Sequence, residues 1–193
     1  MTNKSIDGLA ATFLIIFAIL LGLNQVLVKL VNAGMHPVFQ VALRSTLAII
    51  PILLFCYFTK KKIILNDGSL IPGLISGILF AIEFILLFTA LDYSTVTRVS
   101  LIFYTMPVWL TLSAHFLIDN DKLSRKKIVG LTLAIFGLVL AIYDPSEKYS
   151  SKQFFGDLYT LFASFCWAAI AIMLKISRLK KSIPETQLLY QLI

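Results

Sequence analysis

The sequence predicts an all-α membrane protein, a polytopic transmembrane helix bundle of six complete helices and the start of a seventh. Three observations predict it. Six long apolar runs alternate with short polar hinges along 193 residues. Mean hydropathy is +0.89 and only 14% of the residues are charged. The basic residues stand at the ends of the runs, not along one side of an amphipathic helix. A spanning helix needs about 20 predominantly apolar residues, and a soluble helix would show a polar face that these runs lack.

The runs are Leu9–Val31, Pro37–Phe58, Ile71–Ala90, Thr97–Ile118, Ile128–Tyr143 and Leu158–Leu174. The first follows a single basic residue, Lys4, and ends on Asn24, Gln25 and Lys29, so it reads as a span and not as a cleaved leader. The second holds Pro51 and runs into Lys60, Lys61 and Lys62. The third carries Gly73, Gly77 and Ala81 at four-residue spacing, a stripe suited to close helix packing within the chain. Pro107 falls inside the fourth, and the missing N–H at both Pro51 and Pro107 predicts a kink in each of their runs. The fifth is preceded by Lys122, Arg125, Lys126 and Lys127, and the sixth is followed by Arg178, Lys180 and Lys181. Pro184 opens a seventh run, about ten residues of which precede Ile193. Lys29 and Lys175, at run ends, are expected to snorkel to the headgroups.

Charge sets the orientation. With a cytoplasmic N-terminus, eleven Lys and Arg residues fall on the inner side, and only Arg98, Lys148 and Lys152 fall outside. The positive-inside rule therefore predicts a multi-pass protein of the cytoplasmic (inner) membrane with its N-terminus inside. The same placement argues against nucleic acid as a partner despite the net charge of +7. No phosphate loop, nucleophile–base pair or zinc spacing is present. Cys56 and Cys166 lie inside runs, and His36 and His115 stand alone. No catalytic residue, cofactor or metal site is expected, and the chain does not read as an enzyme.

The segment Asp144–Asp157 is the clearest internal boundary, with Pro145 and several serines. Beyond it a pattern recurs: Lys29, Pro37 and Gln40 reappear as Lys175, Pro184 and Gln187, offset by 146 or 147 positions. This suggests an internal duplication. A five-span repeat would place its second copy upside down, as secondary transporters do. The expected organisation is residues 8–143 as a first repeat, 144–155 as an extracytoplasmic linker, and 156–193 as the start of a second. On this reading the chain is part of one roughly 100 residues longer, as the repeat period implies.

Ala90-Leu91-Asp92-Tyr93, Met106-Pro107, Asp121-Lys122-Leu123-Ser124 and the stretch Gly130–Gly137 resemble the EamA-type permeases of the drug/metabolite transporter superfamily, as does the Gly22–Lys29 spacing. Two positions depart from the pattern: Leu21 stands where an aromatic usually precedes the first-span glycine, and Asp121 replaces the hinge glutamate. The resemblance covers Leu9–Tyr143 well and Gly156–Ile193 in part. It implies a ten-helix, two-repeat permease for small organic solutes such as amino acids, frequently exported. The alternative is a non-transporting fragment or scaffold that requires a second copy or a complementary C-terminal half.

Four residues are candidates for substrate binding or coupling: Glu83, Arg44, Tyr104 and Gln25. Intramembrane charges are costly and normally face a bundle interior or an aqueous cavity. Glu83 lies on the stripe Gly73, Ser76, Phe80, Glu83, Leu87, and Arg44 shares a face with Gln40. All four candidates lie ~9–11 Å below the outer boundary at 1.5 Å per residue, so they could form one polar layer. Glu83 and Arg44 could be a structural ion pair, or a site for substrate or a proton. Tyr104 and Gln25 could serve only in interhelical hydrogen bonds.

Overall fold

The computed structural model describes residues 8–61, 63, 68–118, 121–143 and 150–193. Lys4, Lys62 and Lys148 of the charge argument, and residues 144–149 of the boundary, lie outside these. The described chain forms α1 (Gly8–Asn32), α2 (Pro37–Thr59), α3 (Leu70–Tyr93), α4 (Val96–Phe103), α5 (Met106–Leu117), α6 (Arg125–Ile142), α7 (Ser151–Ile176), a 3₁₀ turn (Arg178–Lys181) and α8 (Pro184–Leu192). Regular structure among these residues is entirely helical.

Five segments are long and apolar enough to cross a membrane: α1, α2, α3, the combined Val96–Leu117, and α7. Six were expected, and the fifth run is the one that falls short. As a helix it has 18 residues and starts on Arg125, Lys126 and Lys127. Its apolar part, Ile128–Ile142, rises only ~22 Å.

Local chemistry sets the helix starts. Thr95 and Ser124 accept the backbone N–H of Arg98 and Lys127. Ser150 and Gln153 form a reciprocal capping box, each side chain accepting the other's backbone N–H at 3.2 and 2.9 Å. This starts α7 at Ser151, seven residues before the apolar run begins, so the expected linker overlaps its first turn. Ser150→Ala should cost about 1 kcal/mol, visible as faster amide exchange confined to the first turn of α7.

The fourth run is broken rather than smoothly bent. Pro107 has no N–H, and the chain tightens just before it. Thr105 N–H donates to the Ile102 carbonyl at 3.1 Å, and Val108 N–H donates to the Thr105 carbonyl at 2.8 Å. The break is held from outside: Trp109 Nε1 donates to Thr105 Oγ1 at 3.0 Å, and Thr105 Oγ1 lies 3.4 Å from Ser164 Oγ on α7. Pro51, by contrast, sits inside an uninterrupted α2.

α3 and α7 form the centre of the bundle. The core gathers Leu87, Phe88, Ala90 and Leu91 of α3, Val99 and Phe103 of α4, and Ala163 of α7, with Val28 and Val41 at its edge. Gly156 sets the closeness of the pair, since a Cβ there would lie 3.0 Å from the Ser94 Cβ and 3.1 Å from the Tyr93 Cβ. The start of α7 therefore meets the end of α3. The end of α1 also meets the end of α3, through Lys29 and Asn32. Hence α1 and α3 run one way and α7 the other.

At the opposite end His115 Nδ1 accepts the Leu123 N–H at 3.1 Å, tying the α5–α6 connection to α5. Asp121 Oδ1 lies 2.6 Å from Lys127 Nζ. The hydrogen bond and charge of Lys127 hold the exposed Asp121 carboxyl below the usual carboxylate range. Its contribution is therefore present above that range and lost as pH falls through the lowered value.

Candidate functional site

Glu83 is 1% exposed on the face of α3 that also buries Gly73, Ser76 and Leu87. Because α3 and α7 run antiparallel from the Gly156 contact, Glu83 lies level with Ala163–Trp167 of α7. Glu83 Oε2 is buried without a hydrogen-bond partner. A carboxyl so placed is among the costliest groups a bundle can hold unless something compensates it.

Arg44 approaches from α2 on a different side of α3. Its guanidinium carbon stands 4.5 Å above the centre of the Phe84 ring and 5.8 Å from that of Phe88. Positions 83 and 84 point about 100° apart around a helix. This explains why Arg44 stacks on the aromatic face and forms no direct ion pair with Glu83 among the described residues. Arg44 nonetheless stands over the ring of Phe84, the residue next to Glu83. The arrangement is an acid and a guanidinium held apart, with the cation resting on π-faces that attract it without satisfying its N–H donors.

The other two candidates take separate positions. Gln25 is buried on α1, and its Oε1 accepts from Ser100 Oγ of α4 at 2.5 Å, an interhelical bond. Tyr104 is 45% exposed and lines a cleft between the α4–α5 break and α6. The structure thus places Arg44 within electrostatic reach of Glu83, while Gln25 is engaged with Ser100 and Tyr104 faces another seam. Equal depth on four helices does not put four side chains on one surface, because each helix presents its own rotational face.

A cleft of about 430 Å³ opens between α2, α3 and α8. Ser45, Thr46 and Gln191 supply its polar lining, and Phe80 and Ile85 the apolar wall beside Glu83 and Phe84.

Sequence reasoning missed a polar layer at the far end of α3. Arg98 Nη2 meets Asp157 Oδ2 at 2.6 Å, with side chains 13% and 16% exposed. Arg98 Nη1 also donates to the Ile142 carbonyl at 3.2 Å, and Ser94 Oγ to Asp157 Oδ1 at 3.4 Å. Helices α3, α4, α6 and α7 are joined there. Lys29 does not snorkel. Its ammonium donates to the carbonyls of Leu91 and Ser94 at 3.0 and 2.5 Å, while Asn32 Nδ2 reaches the Phe88 carbonyl at 2.8 Å. Leu91 lies in the last turn of α3 and Ser94 is its C-terminal cap, where carbonyls have no partner within the helix and favour a cation. A signal existed: Arg98 and Asp157 each stand at the same end of a predicted span with opposite charge. Lys175 is exposed and near Asp121.

Five long apolar segments, one of them broken at mid-run and with buried polar groups between them, define a polytopic membrane protein. The chain belongs to the EamA-like transporter family, whose pattern matches residues 8–143. It is 24% identical over 149 residues to the uncharacterized transporter YoaV of Bacillus subtilis (strain 168), covering 75% of this chain and 51% of that protein. It is 28% identical over 162 residues to a protein of Escherichia coli (strain K12) named probable amino-acid metabolite efflux pump, covering 84% and 51%. An uncharacterized transporter of Archaeoglobus fulgidus is 28% identical over 142 residues, covering 70% and 47%. The chain spans about half the length of these relatives. No solved structure matches it.

Proposed function

We propose that this chain carries the first repeat and the opening of the second repeat of a ten-helix permease that exports small organic metabolites, amino acids among them, across the cytoplasmic membrane. Family membership and two relatives named amino-acid metabolite efflux pumps support the class. The opposed directions of α1 and α7 are those an inverted repeat requires, and the distribution of Lys and Arg favours a cytoplasmic N-terminus.

The observation that carries the reading is the separated pair on α3 and α2. Glu83 has a buried, unpartnered carboxylate oxygen, and Arg44 shows no hydrogen bond among the described residues. A purely structural ion pair would close on itself to offset two desolvation costs. A pair held open leaves both groups able to engage a solute, or lets Glu83 take up a proton when the solute leaves. In this proposal Glu83 is the coupling or ammonium-binding group and Arg44 the anion-binding group. Gln25 and Tyr104 act indirectly, Gln25 by joining α1 to α4.

The test is solute flux in proteoliposomes, with the chain alone and with complementary C-terminal helices supplied as a second polypeptide. Flux in the combined system supports the proposal. No flux in either would assign the chain to the scaffold alternative. In the transporting system Glu83→Gln should reduce flux at least about tenfold, a loss of about 1.4 kcal/mol, or abolish its pH dependence, with membrane insertion unchanged. Full activity with an unchanged pH profile would remove Glu83 from the site.

A further inference from the structure

Helix α6 is unlike the rest of the bundle. It buries none of its residues, and its only substantial packing among the described residues is against α4. Gly130, Ala134, Gly137 and Ala141 share one exposed side of α6 beside the half-buried Leu131, Leu138 and Ile142, and all four line open clefts. A Cβ added at Gly130 or Gly137 would meet nothing within 4 Å. Two clefts of about 340 and 230 Å³ follow each other along this seam, walled on the α5 side by Leu110 and Val108. Their mouth lies at the start of α6, where Lys127, Lys175 and Asp121 stand together. Asp121 is already bonded to Lys127, and Lys175 has no ion pair among the described residues, so the mouth keeps a net positive charge.

We propose that this seam is a binding groove for an anionic phospholipid. Lys127 and Lys175 would hold its phosphate, and one acyl tail would lie along the small-residue side of α6. The shape fits: from Lys127 to Ala141 the helix rises ~21 Å, more than the ~15 Å depth of one leaflet's hydrocarbon. A flexible methylene chain would make dispersion contacts with both walls of this apolar seam. The charge fits as well. With the N-terminus inside, the mouth faces the cytoplasmic leaflet, where anionic headgroups attract juxtamembrane lysines. Arg125 and Lys126 add to that field from the first turn of α6, next to a helix N-terminus that already favours anions. A second copy of this chain is disfavoured as the occupant, because it carries the same net charge of +7 and would bring its own basic rim to the mouth.

The experiment is native mass spectrometry of the purified chain titrated with phosphatidylglycerol or phosphatidylcholine, read as lipid-bound fraction and oligomeric state. Phosphatidylglycerol should be retained in preference to phosphatidylcholine. Lys127→Gln/Lys175→Gln should weaken its binding roughly 30-fold, on the scale of two juxtamembrane lysines. Gly137→Leu fills the groove and should release the lipid, whereas Gly22→Leu on α1, where an added Cβ also meets nothing, should retain it. Equal retention of the two lipids would overturn the proposal, as would full retention by Gly137→Leu. A change in dimer content with Gly137→Leu, at unchanged lipid binding, would assign the groove to a second copy and overturn it too. None of these readouts depends on transport.

Discussion

Asp157→Ala is expected to destabilise the bundle by about 3–5 kcal/mol, the range for removing one partner of a buried ion pair. Arg98, in the first turn of α4, and Asp157, in the second turn of α7, are each largely buried and meet at 2.6 Å. Without the carboxylate, the guanidinium loses its charged partner, and Ser94 Oγ loses an acceptor. The loss should appear as a lower midpoint of unfolding in mixed detergent. Arg98→Met/Asp157→Leu should be less damaging than either single change, since the cost lies in the stranded charge more than in the lost attraction. If the double variant is as unstable as the sum of the singles, the pair is not an interacting unit.

Gly77→Val should displace α8 from α3. A Cβ at Gly77 would stand 2.2 Å from the backbone carbonyl oxygen of Tyr190, and one at Gly73 would stand 2.5 Å from its ring. Backbone cannot yield as a side-chain tip can, so the helix must move, at a cost of about 1–3 kcal/mol or more. Three contacts would open with it. Tyr190 Oη lies 3.1 Å from Ser69 Oγ, Gln191 Nε2 lies 3.5 Å from Ser76 Oγ, and Lys61 pairs with Glu185 at the start of α8. A Ser76→Cys/Gln191→Cys pair should cross-link readily in the native background and poorly with Gly77→Val. Gly22→Val, on an open face of α1, is the control and should leave cross-linking unchanged. Undiminished cross-linking with Gly77→Val would mean that α8 is not seated on this glycine pair.

The fold was legible in the sequence where one property of each segment is enough to decide. Apolar length marks a candidate span whatever surrounds it, and four of the six runs reappear within a few residues as apolar helical segments long enough to span, one of them broken before Pro107. The other two show the limits. The Ile128–Tyr143 run is short, and α7 starts seven residues before its apolar part because a Ser150–Gln153 capping box begins the helix in polar sequence. The buried stripe on α3 was also legible, since Gly73, Ser76, Glu83 and Leu87 recur at helical spacing and all are buried. The candidate layer was legible only as depth, and depth is one coordinate of three.

What the sequence determined by itself was the all-helical class, the family, the burial of Glu83 and the small-residue contact face of α3. The class, the burial and the contact face follow from composition or periodicity along a single segment, where neighbouring residues constrain one another directly, and the family follows from motifs that resemble its pattern. What only the tertiary structure decided was partnership. Arg44 rests on Phe84 and Phe88 beside Glu83, Gln25 joins Ser100, Tyr104 turns to the α6 seam, and Lys29 caps α3. The physical reason is that a helix fixes the angles between its own side chains but not its rotation about its axis. That rotation is set by packing against residues about 30 to 75 positions away, and it chooses which polar group meets which.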